Sequence, residues 1–120
     1  MSRPLVVKVT CGSEDAERCN QAFTVASTAV ASGASVSLWL TGEAAWFGVP
    51  GKAEEFALPH ATPLADLLSA VLAEGRVTVC TQCAVRRGIG DDDLLPGVRI
   101  AGAAVFAEEI LEPDVQALVY

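Results

Sequence analysis

The sequence predicts one α/β domain built around a mainly parallel β-sheet. Short, β-branched apolar segments alternate with segments of helical periodicity along the 120 residues, a pattern typical of helices packed on a parallel sheet. The strand segments are almost continuously apolar, as expected of strands buried on both faces. The length fits a single domain spanning residues 1–120, and the 52% of apolar residues excludes an intrinsically disordered chain.

The chain begins with a strand, a helix and a second strand. Residues 5–10 form a β-branched apolar run that predicts the first strand. Ser13 is the candidate N-cap of the helix that follows, and Gly33 is placed to end that helix. Ser35–Leu40 then predicts the second strand. One face of the helix collects apolar residues at steps of three or four: Ala16, Cys19, Phe23, Ala26 and Val30.

Residues 41–60 interrupt this alternation. Glycines and prolines punctuate the segment, which predicts a long loop with one short helical turn. Thr62 is the expected N-cap of the next helix, with Pro63 at its first position and Gly75 at its end. The apolar face of this helix consists of Leu64, Leu67, Leu68, Val71 and Leu72.

The second half of the chain adds three more strands. Arg76–Cys80 predicts the third strand, and a short helix over residues 81–87 ends at Gly88. Two further strands, separated by a helix, complete the pattern. These last elements cover Val98–Ala101, residues 103–111 and residues 115–119.

The charge balance limits the possible partners. Eight basic against 15 acidic residues give a net charge of −7, which argues against binding to nucleic acid or to an anionic membrane, because both need a basic surface. No apolar run approaches the roughly 20 residues that cross a bilayer, and Lys8 interrupts the apolar start of the chain, unlike a signal peptide. We therefore expect a cytoplasmic protein whose four cysteines are reactive, metal-binding or buried.

Three cysteines and an aromatic loop have informative positions. Cys11 comes after the first predicted strand, Trp46 lies in the loop after the second, and Cys80 ends the third. Because the carboxyl ends of parallel strands meet at one edge, where open α/β sheets bind ligands, we expect these residues at a common edge. Cys19 differs, since it falls on the apolar face of the first helix and is expected to fill the core.

Cys80 and Cys83 form a Cys-x-x-Cys motif at a strand-to-helix junction. Free backbone N–H groups at the start of a helix stabilise a thiolate, the reactive form of cysteine. Arg86 and Arg87 follow one turn later and would stabilise negative charge on sulfur. The pair suits three chemistries: sulfur transfer through a persulfide, thiol–disulfide exchange and metal binding. The alternative without chemistry is two small residues that pack the helix on the sheet.

Metal binding is the least favoured of these chemistries. A structural zinc site usually has four ligands, and only Cys11 and His60 remain as donors, both distant in sequence. We interpret His60 as an incidental loop residue. The sequence therefore predicts neither a metal nor another cofactor.

Other residues near the expected site have two interpretations. Glu43 follows the second strand and either reaches the pocket or is a solvated loop acid. Trp46 and Phe47 form either an apolar lid that excludes water from a reactive sulfur or part of a subunit interface. The acidic run at residues 91–93 lacks the alternating ligands of a calcium loop and is expected to be a solvated turn that caps a helix.

Two stretches carry a resemblance to a known family. They are Val-Thr-Val-Cys-Thr-Gln-Cys-Ala-Val-Arg-Arg-Gly at residues 77–88 and Val-Arg-Ile-Ala-Gly at residues 98–102. Together with residues 31–36, they make the chain similar to the DsrE/DsrF-like family of small sulfur-relay proteins. The resemblance implies a three-layer α/β/α sandwich with a five-stranded sheet, assembly into trimers or hexamers, and sulfur relay through a cysteine persulfide. Cys80 matches the family's sulfur-carrying cysteine.

The chain departs from the family pattern at two places. Many members have one cysteine at this junction, whereas this chain also has Cys83, which would resolve the persulfide or switch the site off as a disulfide. Thr41, Gly42 and Glu43 stand where the family often has Asp-Gly-Val. We therefore expect a pocket with a different lining.

These observations lead to one hypothesis and two alternatives. The hypothesis is a cytoplasmic sulfur-relay protein in which Cys80 accepts sulfane sulfur from a protein or a small sulfur compound, Cys83 modulates it, and Cys11 is a third thiol in the crevice. The alternatives are a thiol–disulfide redox module and a non-catalytic binding subunit. The mean hydropathy of +0.41 also indicates a homo-oligomer, since a domain of this size has a large surface fraction to cover.

Overall fold

The computed structural model describes residues 3–120 and confirms the α/β prediction. Within this range, five parallel strands form one sheet in the order β4-β3-β2-β1-β5, accompanied by four α-helices. In chain order the elements are β1 (Pro4–Val9), α1 (Ala16–Ala31), β2 (Ser35–Leu40), α2 (Leu64–Glu74), β3 (Arg76–Cys80), α3 (Thr81–Arg86), β4 (Val98–Ala101), α4 (Ala103–Ile110) and β5 (Gln116–Val119).

The core lies between the sheet and the first two helices. The helices α1 and α2 pack against each other and against the strands. Because successive strand residues point to opposite faces, every second residue of β1, β2 and β3 faces these helices. The central positions of this layer are fully buried: Val7, Phe23, Ala26, Leu38, Val71, Val77 and Val79.

The opposite face of the sheet is covered by α4, which completes the three layers. Phe106 of α4 packs edge-on against Trp39 of β2, with ring centroids 5.2 Å apart. Glu109 accepts hydrogen bonds from Ser37 Oγ at 2.7 Å and Trp39 Nε1 at 3.1 Å, and it pairs with Arg99 of β4. Burial raises the pKa of the Glu109 carboxyl, but these partners outweigh it and lower the pKa. One carboxylate thus fastens α4 to two strands.

The helix starts differ slightly from the predicted ones. Ser13 is not the N-cap of α1, because it opens a 3-10 turn, Ser13–Asp15, that precedes the helix. The second helix begins one residue later than predicted, with Pro63 rather than Thr62 as its N-cap. The cause is that Pro63 keeps an extended ψ of 131°, so helical geometry begins only at Leu64.

Residues 41–60 contain more regular structure than the predicted loop. Two 3-10 segments, Gly42–Gly48 and Ala53–Glu55, replace the single helical turn that was predicted. Phe47 explains the longer segment, because its buried ring packs edge-on against Phe23 and Phe56 at centroid distances of 5.9 and 5.8 Å. The loop after β2 is therefore anchored in the core.

The surface of α4 and β5 is the least covered part of the fold. All four residues of β5 are exposed, and the apolar side chains of Leu111 and Val119 are mostly in solvent. Homo-oligomer formation stays a prediction. None of the helices within residues 3–120 combines the length and the apolar character needed to cross a membrane.

Candidate functional site

Neighbouring strands bring the cysteine motif to the carboxyl edge of the sheet. Because β2 lies between β1 and β3, the residues that follow these three parallel strands meet at one edge, as predicted. Cys80 ends β3 and is half-buried, Gly42 follows β2, and Cys11 follows β1. Neighbouring strands are about 4.8 Å apart, so the carboxyl ends of β1 and β3 are about 10 Å apart across β2.

Cys80 occupies the N-cap position of α3, and Cys83 is the third residue of that helix. An N-cap side chain lies beside the free N–H groups of the first turn, and a side chain at the third position reaches back toward the cap. Burial raises the pKa of the Cys80 thiol. Hydrogen bonding from the N–H groups of Cys83 and Gln82 and from the Cys83 side chain outweighs burial and lowers the pKa below its usual value.

A lysine that the sequence analysis did not select as a site residue adds to this effect. Lys8 lies within β1, and its charge also lowers the pKa of Cys80. The strand register aligns Lys8 with Trp39 and Trp39 with Thr78, so Lys8 shares a sheet face with Cys80, two residues beyond Thr78. The Lys8 ammonium lies 4.9 Å from the ring centroid of Phe106. A charged residue inside an apolar strand was the available sequence signal.

Cys83 points inward from α3 and is only 8% exposed. The backbone N–H of Gly42 donates a hydrogen bond to the Cys83 sulfur at 3.2 Å. Gly42 has a φ of +55°, and a Cβ at this position would overlap the carbonyl oxygen of Thr10, so the position requires glycine. The loop after β2 therefore presents a fixed hydrogen-bond donor to the second thiol.

An ion pair ties the same loop to α3. Arg87 Nε and Nη2 lie 2.9 and 2.8 Å from Glu43 Oε2, and Arg87 Nη1 donates to the carbonyl oxygen of Cys83 at 3.1 Å. The sequence predicts that both arginines stabilise an anionic sulfur, but the structure turns Arg87 toward Glu43 and leaves Arg86 exposed. Glu43 is accordingly a paired, half-exposed residue rather than a loop acid with water as its only partner.

Cys11 and Cys19 share a different environment under the start of α1. Cys19 is fully buried, which confirms its predicted place in the core, and burial together with nearby Cys11 raises its pKa to about 12. Burial, followed by the charges of Asp15 and Glu14, also raises the pKa of Cys11. The structure thus groups Cys11 with Cys19 rather than with Cys80.

The two aromatic residues of the loop after β2 have separate roles. Phe47 is buried in the core, so the prediction that it forms a lid or a subunit interface is wrong. Trp46 is half-buried and lines a cleft of about 280 Å³ together with Glu43 and Lys52. The Lys52 ammonium lies 5.7 Å from the Trp46 ring centroid. His60 lies exposed in a turn of the same long loop.

Three further features lie away from the motif. The acidic run Asp91–Asp93 forms a 3-10 turn in which Asp93 accepts the N–H of Gly90 at 2.8 Å, which confirms its capping role. A cleft of about 510 Å³ at the amino ends of the strands is bordered by Arg76 and Glu109 and lacks cysteine. Among the described residues, no three His, Cys, Asp or Glu side chains are placed to hold a metal ion.

Comparison with protein families identifies the chain. The DsrE/DsrF-like family matches residues 5–116, almost the whole length. The chain belongs to the DsrE/DsrF-like family. This finding confirms the resemblance seen in the sequence and supports, at the level of the family, a role related to sulfur relay.

Two solved structures share the fold of this chain, and one curated relative matches most of its length. The crystal structure of the ychN protein from E. coli has a TM-score of 0.81 at 21% identity and covers 98% of this chain and 99% of its own. MTH1491, a protein of unknown function from Methanobacterium thermoautotrophicum, has a TM-score of 0.66 at 12% identity. These two likenesses show the fold. The uncharacterized protein MJ0760 of Methanocaldococcus jannaschii is 29% identical over 108 residues, which are 89% of this chain and 39% of that protein.

Proposed function

We propose that this protein accepts sulfane sulfur on Cys80 and passes it on as a persulfide. The observation that carries the proposal is the contrast among the four thiols. Cys80 is half-exposed and has a lowered pKa, whereas the other three cysteines are buried. Because the thiolate is the nucleophile in sulfur chemistry, Cys80 is the thiol of this chain best prepared to react near neutral pH.

The proposed transfer is a displacement at sulfur. The Cys80 thiolate attacks the outer sulfur of a donor persulfide R–S–SH, a new S–S bond forms, and the donor's S–S bond breaks to release the thiolate R–S⁻. The new persulfide then gives its proton to R–S⁻ or to solvent. The N–H groups of Gln82 and Cys83 and the Lys8 ammonium act on charge at this position, and they would stabilise the anionic outer sulfur.

The donor and the acceptor belong to the same proposal. Sulfur relay in this family commonly involves partner proteins, and the donor here is a protein persulfide or a small sulfur compound. The acceptor attacks the outer sulfur of the Cys80 persulfide, and Cys80 returns to its free thiol. Such a cycle suits a reducing compartment such as the cytoplasm, where thiols persist.

Intact mass spectrometry tests the proposal. The reduced protein is incubated with polysulfide, and the wild type is compared with Cys80→Ser, Cys83→Ser and, as a matched control at another thiol, Cys19→Ala. We expect additions of about 32 Da per sulfur in every protein except Cys80→Ser, because only the Cys80 thiol is activated. Additions that persist in Cys80→Ser at the wild-type level would contradict the proposal.

Thiol–disulfide exchange is a second candidate function. Cys80 is the N-cap of α3 and Cys83 is its third residue, and the Cys83 side chain helps to lower the pKa of Cys80. The pair therefore offers the one accessible and one resolving thiol that such an exchange needs. The same experiment separates the two functions. A Cys80–Cys83 disulfide that titrates with redox buffers in the wild type, with no sulfur adduct on Cys80 even in Cys83→Ser, would replace sulfur relay by redox exchange.

A further inference from the structure

We propose that Glu43 and Arg87 are positioning residues that hold Cys83 for attack on a persulfide at Cys80, so that the protein itself releases sulfide. This inference rests on the proposed sulfur acceptance by Cys80 and adds a second reaction to it. We call the arrangement of Gly42, Glu43 and Arg87 around Cys83 the thiol clamp.

The Cys83 sulfur has a neighbouring group on each of two sides, and one of them belongs to the thiol clamp. On one side, the Gly42 N–H donates to the sulfur at 3.2 Å. On the other side is Cys80, the N-cap of the helix that carries Cys83, and the Cys83 side chain helps to lower the pKa of Cys80. Because Gly42 is pressed against Thr10 in a left-handed conformation, its N–H cannot follow the sulfur if the thiol moves. The direction of the Cys83 side chain is therefore set by the backbone after β2.

The ion pair keeps these two backbone segments together. Glu43 directly follows Gly42, and Arg87 lies one helical turn after Cys83, so the contact between their side chains joins the loop to α3. The Arg87 side chain is 19% exposed and the Glu43 side chain 50%, so solvent screens the pair mainly from the Glu43 side. Arg87 also donates to the carbonyl oxygen of Cys83. Arginine can make these contacts because its donor nitrogens form a rigid planar fork, whereas lysine has a single ammonium nitrogen.

The chemical step that this geometry favours is internal resolution of the persulfide. The Cys83 sulfur attacks the inner sulfur of the Cys80 persulfide anion, Cys80–S–S⁻, and a Cys80–Cys83 disulfide forms. The S–S bond of the persulfide breaks, and its outer sulfur takes the S–H proton of Cys83 and leaves as HS⁻. The sulfane sulfur gains the two electrons that the two cysteines lose, so no external reductant is consumed in this step. A dithiol reductant of the cell then restores both thiols by exchange.

Burial makes this step selective for Cys80. With 8% of its surface exposed, Cys83 has little access to a donor in solution, whereas the inner sulfur of a persulfide on Cys80 belongs to the N-cap of the same helix, three residues away. Holding two reacting groups at contact distance replaces a bimolecular encounter and contributes several orders of magnitude to a rate. Loosening the thiol clamp should therefore slow resolution without slowing the loading of Cys80.

The test separates loading from release. Wild type, Glu43→Gln, Arg87→Met, Arg87→Lys and the double variant Glu43→Gln/Arg87→Met are loaded with polysulfide without oxygen, desalted, and followed for hydrosulfide release and for the Cys80–Cys83 disulfide by mass. Glu55→Gln is the matched control, because Glu55 is an acid of the same long loop in an exposed contact of 3.9 Å with Lys52. Cys83→Ser gives the rate of hydrosulfide release when no thiol at position 83 can attack the persulfide.

We expect every clamp variant to load Cys80 like the wild type and to release hydrosulfide on the order of tenfold more slowly. The double variant should release hydrosulfide no more slowly than Arg87→Met. The reason is that Glu43→Gln acts through the contact with Arg87, which Arg87→Met already removes. The control Glu55→Gln should release at the wild-type rate. Glu43→Gln keeps the size of a half-exposed side chain, so it should fold. It still tests the contact with Arg87 if Arg87→Met fails to fold.

Two results would overturn the inference while leaving the proposed function intact. One is a wild type that loads Cys80 but releases no hydrosulfide and forms no disulfide. The other is release from Glu43→Gln and Arg87→Lys at the wild-type rate. A wild type that does not load Cys80 at all would instead overturn the proposed function on which the inference rests.

Discussion

The molecule contains two pairs of cysteines in comparable places, and the thiol of Cys80 in one pair has properties opposite to those of Cys11 and Cys19 in the other. Cys80 ends β3 and Cys83 lies in the helix after it, whereas Cys11 follows β1 and Cys19 lies in the first turn of α1. All of them lie near the carboxyl edge of the same sheet, close to the start of a helix. Yet the pKa of Cys80 is lowered, whereas the pKa of both Cys11 and Cys19 is raised.

The difference comes from the groups around each sulfur. Cys80 is the N-cap itself, so it meets N–H groups of α3 and the charge of Lys8. Burial is the main cause of the raised pKa of Cys11, and the carboxylates of Asp15 and Glu14 raise it further. Burial is also the main cause of the raised pKa of Cys19. A cysteine near a helix start is therefore activated only when it stays partly exposed and faces donors rather than acids.

The largest expected effect is a difference in alkylation rate. At pH 7.5, iodoacetamide should modify Cys80 on the order of 1,000-fold or more faster than Cys19, because each unit of pKa changes the thiolate fraction tenfold. The pKa of Cys19 rises from 9.0 to about 12, whereas that of Cys80 is lowered. Peptide mass spectrometry at several times measures both rates. Equal rates at Cys80 and Cys19 in the folded protein would remove the contrast.

A second expected effect concerns stability. Cys19→Ser places a hydroxyl in a fully buried apolar site and should lower the free energy of unfolding by about 1–3 kcal/mol. Cys83→Ser should cost about 1 kcal/mol or less, because its hydroxyl still accepts the N–H of Gly42. Urea denaturation of both variants gives the comparison, and a larger loss for Cys83→Ser would contradict it.

The smallest expected effect belongs to Lys8. The lowered pKa of Cys80 means that its thiolate persists to lower pH than that of an ordinary cysteine and is lost as the pH falls through the folded pKa. Removing the positive charge in Lys8→Gln should move this transition to higher pH and slow alkylation at pH 7 by up to about tenfold. The pH profile of iodoacetamide reactivity measures the transition. An unchanged profile would show that the N–H groups of α3 act alone.

The sequence predicted the part of this account that depends on local pattern. Helical spacing correctly placed Cys19 in the core, and the strand-to-helix junction correctly placed Cys80 at the start of α3. The rule for parallel strands also put Cys11 at the same edge of the sheet as Cys80 and Cys83. These features follow from residues close in the chain, for which periodicity and capping rules are informative.

The remaining features depend on contacts between distant parts of the chain. The approach of Lys8 to Cys80 requires the register of β1, β2 and β3, which no local pattern contains. In the same way, the pairing of Arg87 with Glu43 joins residues 44 positions apart. The sequence therefore showed which groups were available but not which of them meet.

Mapping the position of sulfur in the wild-type protein tests the central claim most directly. The reduced protein is exposed to limiting polysulfide, trapped by alkylation and digested, and the occupancy of sulfur is measured on each cysteine-containing peptide. The account predicts that the first sulfur appears on Cys80 and that Cys11 and Cys19 remain unmodified. Sulfur on Cys11 or Cys19 at an occupancy equal to or above that of Cys80 would contradict it.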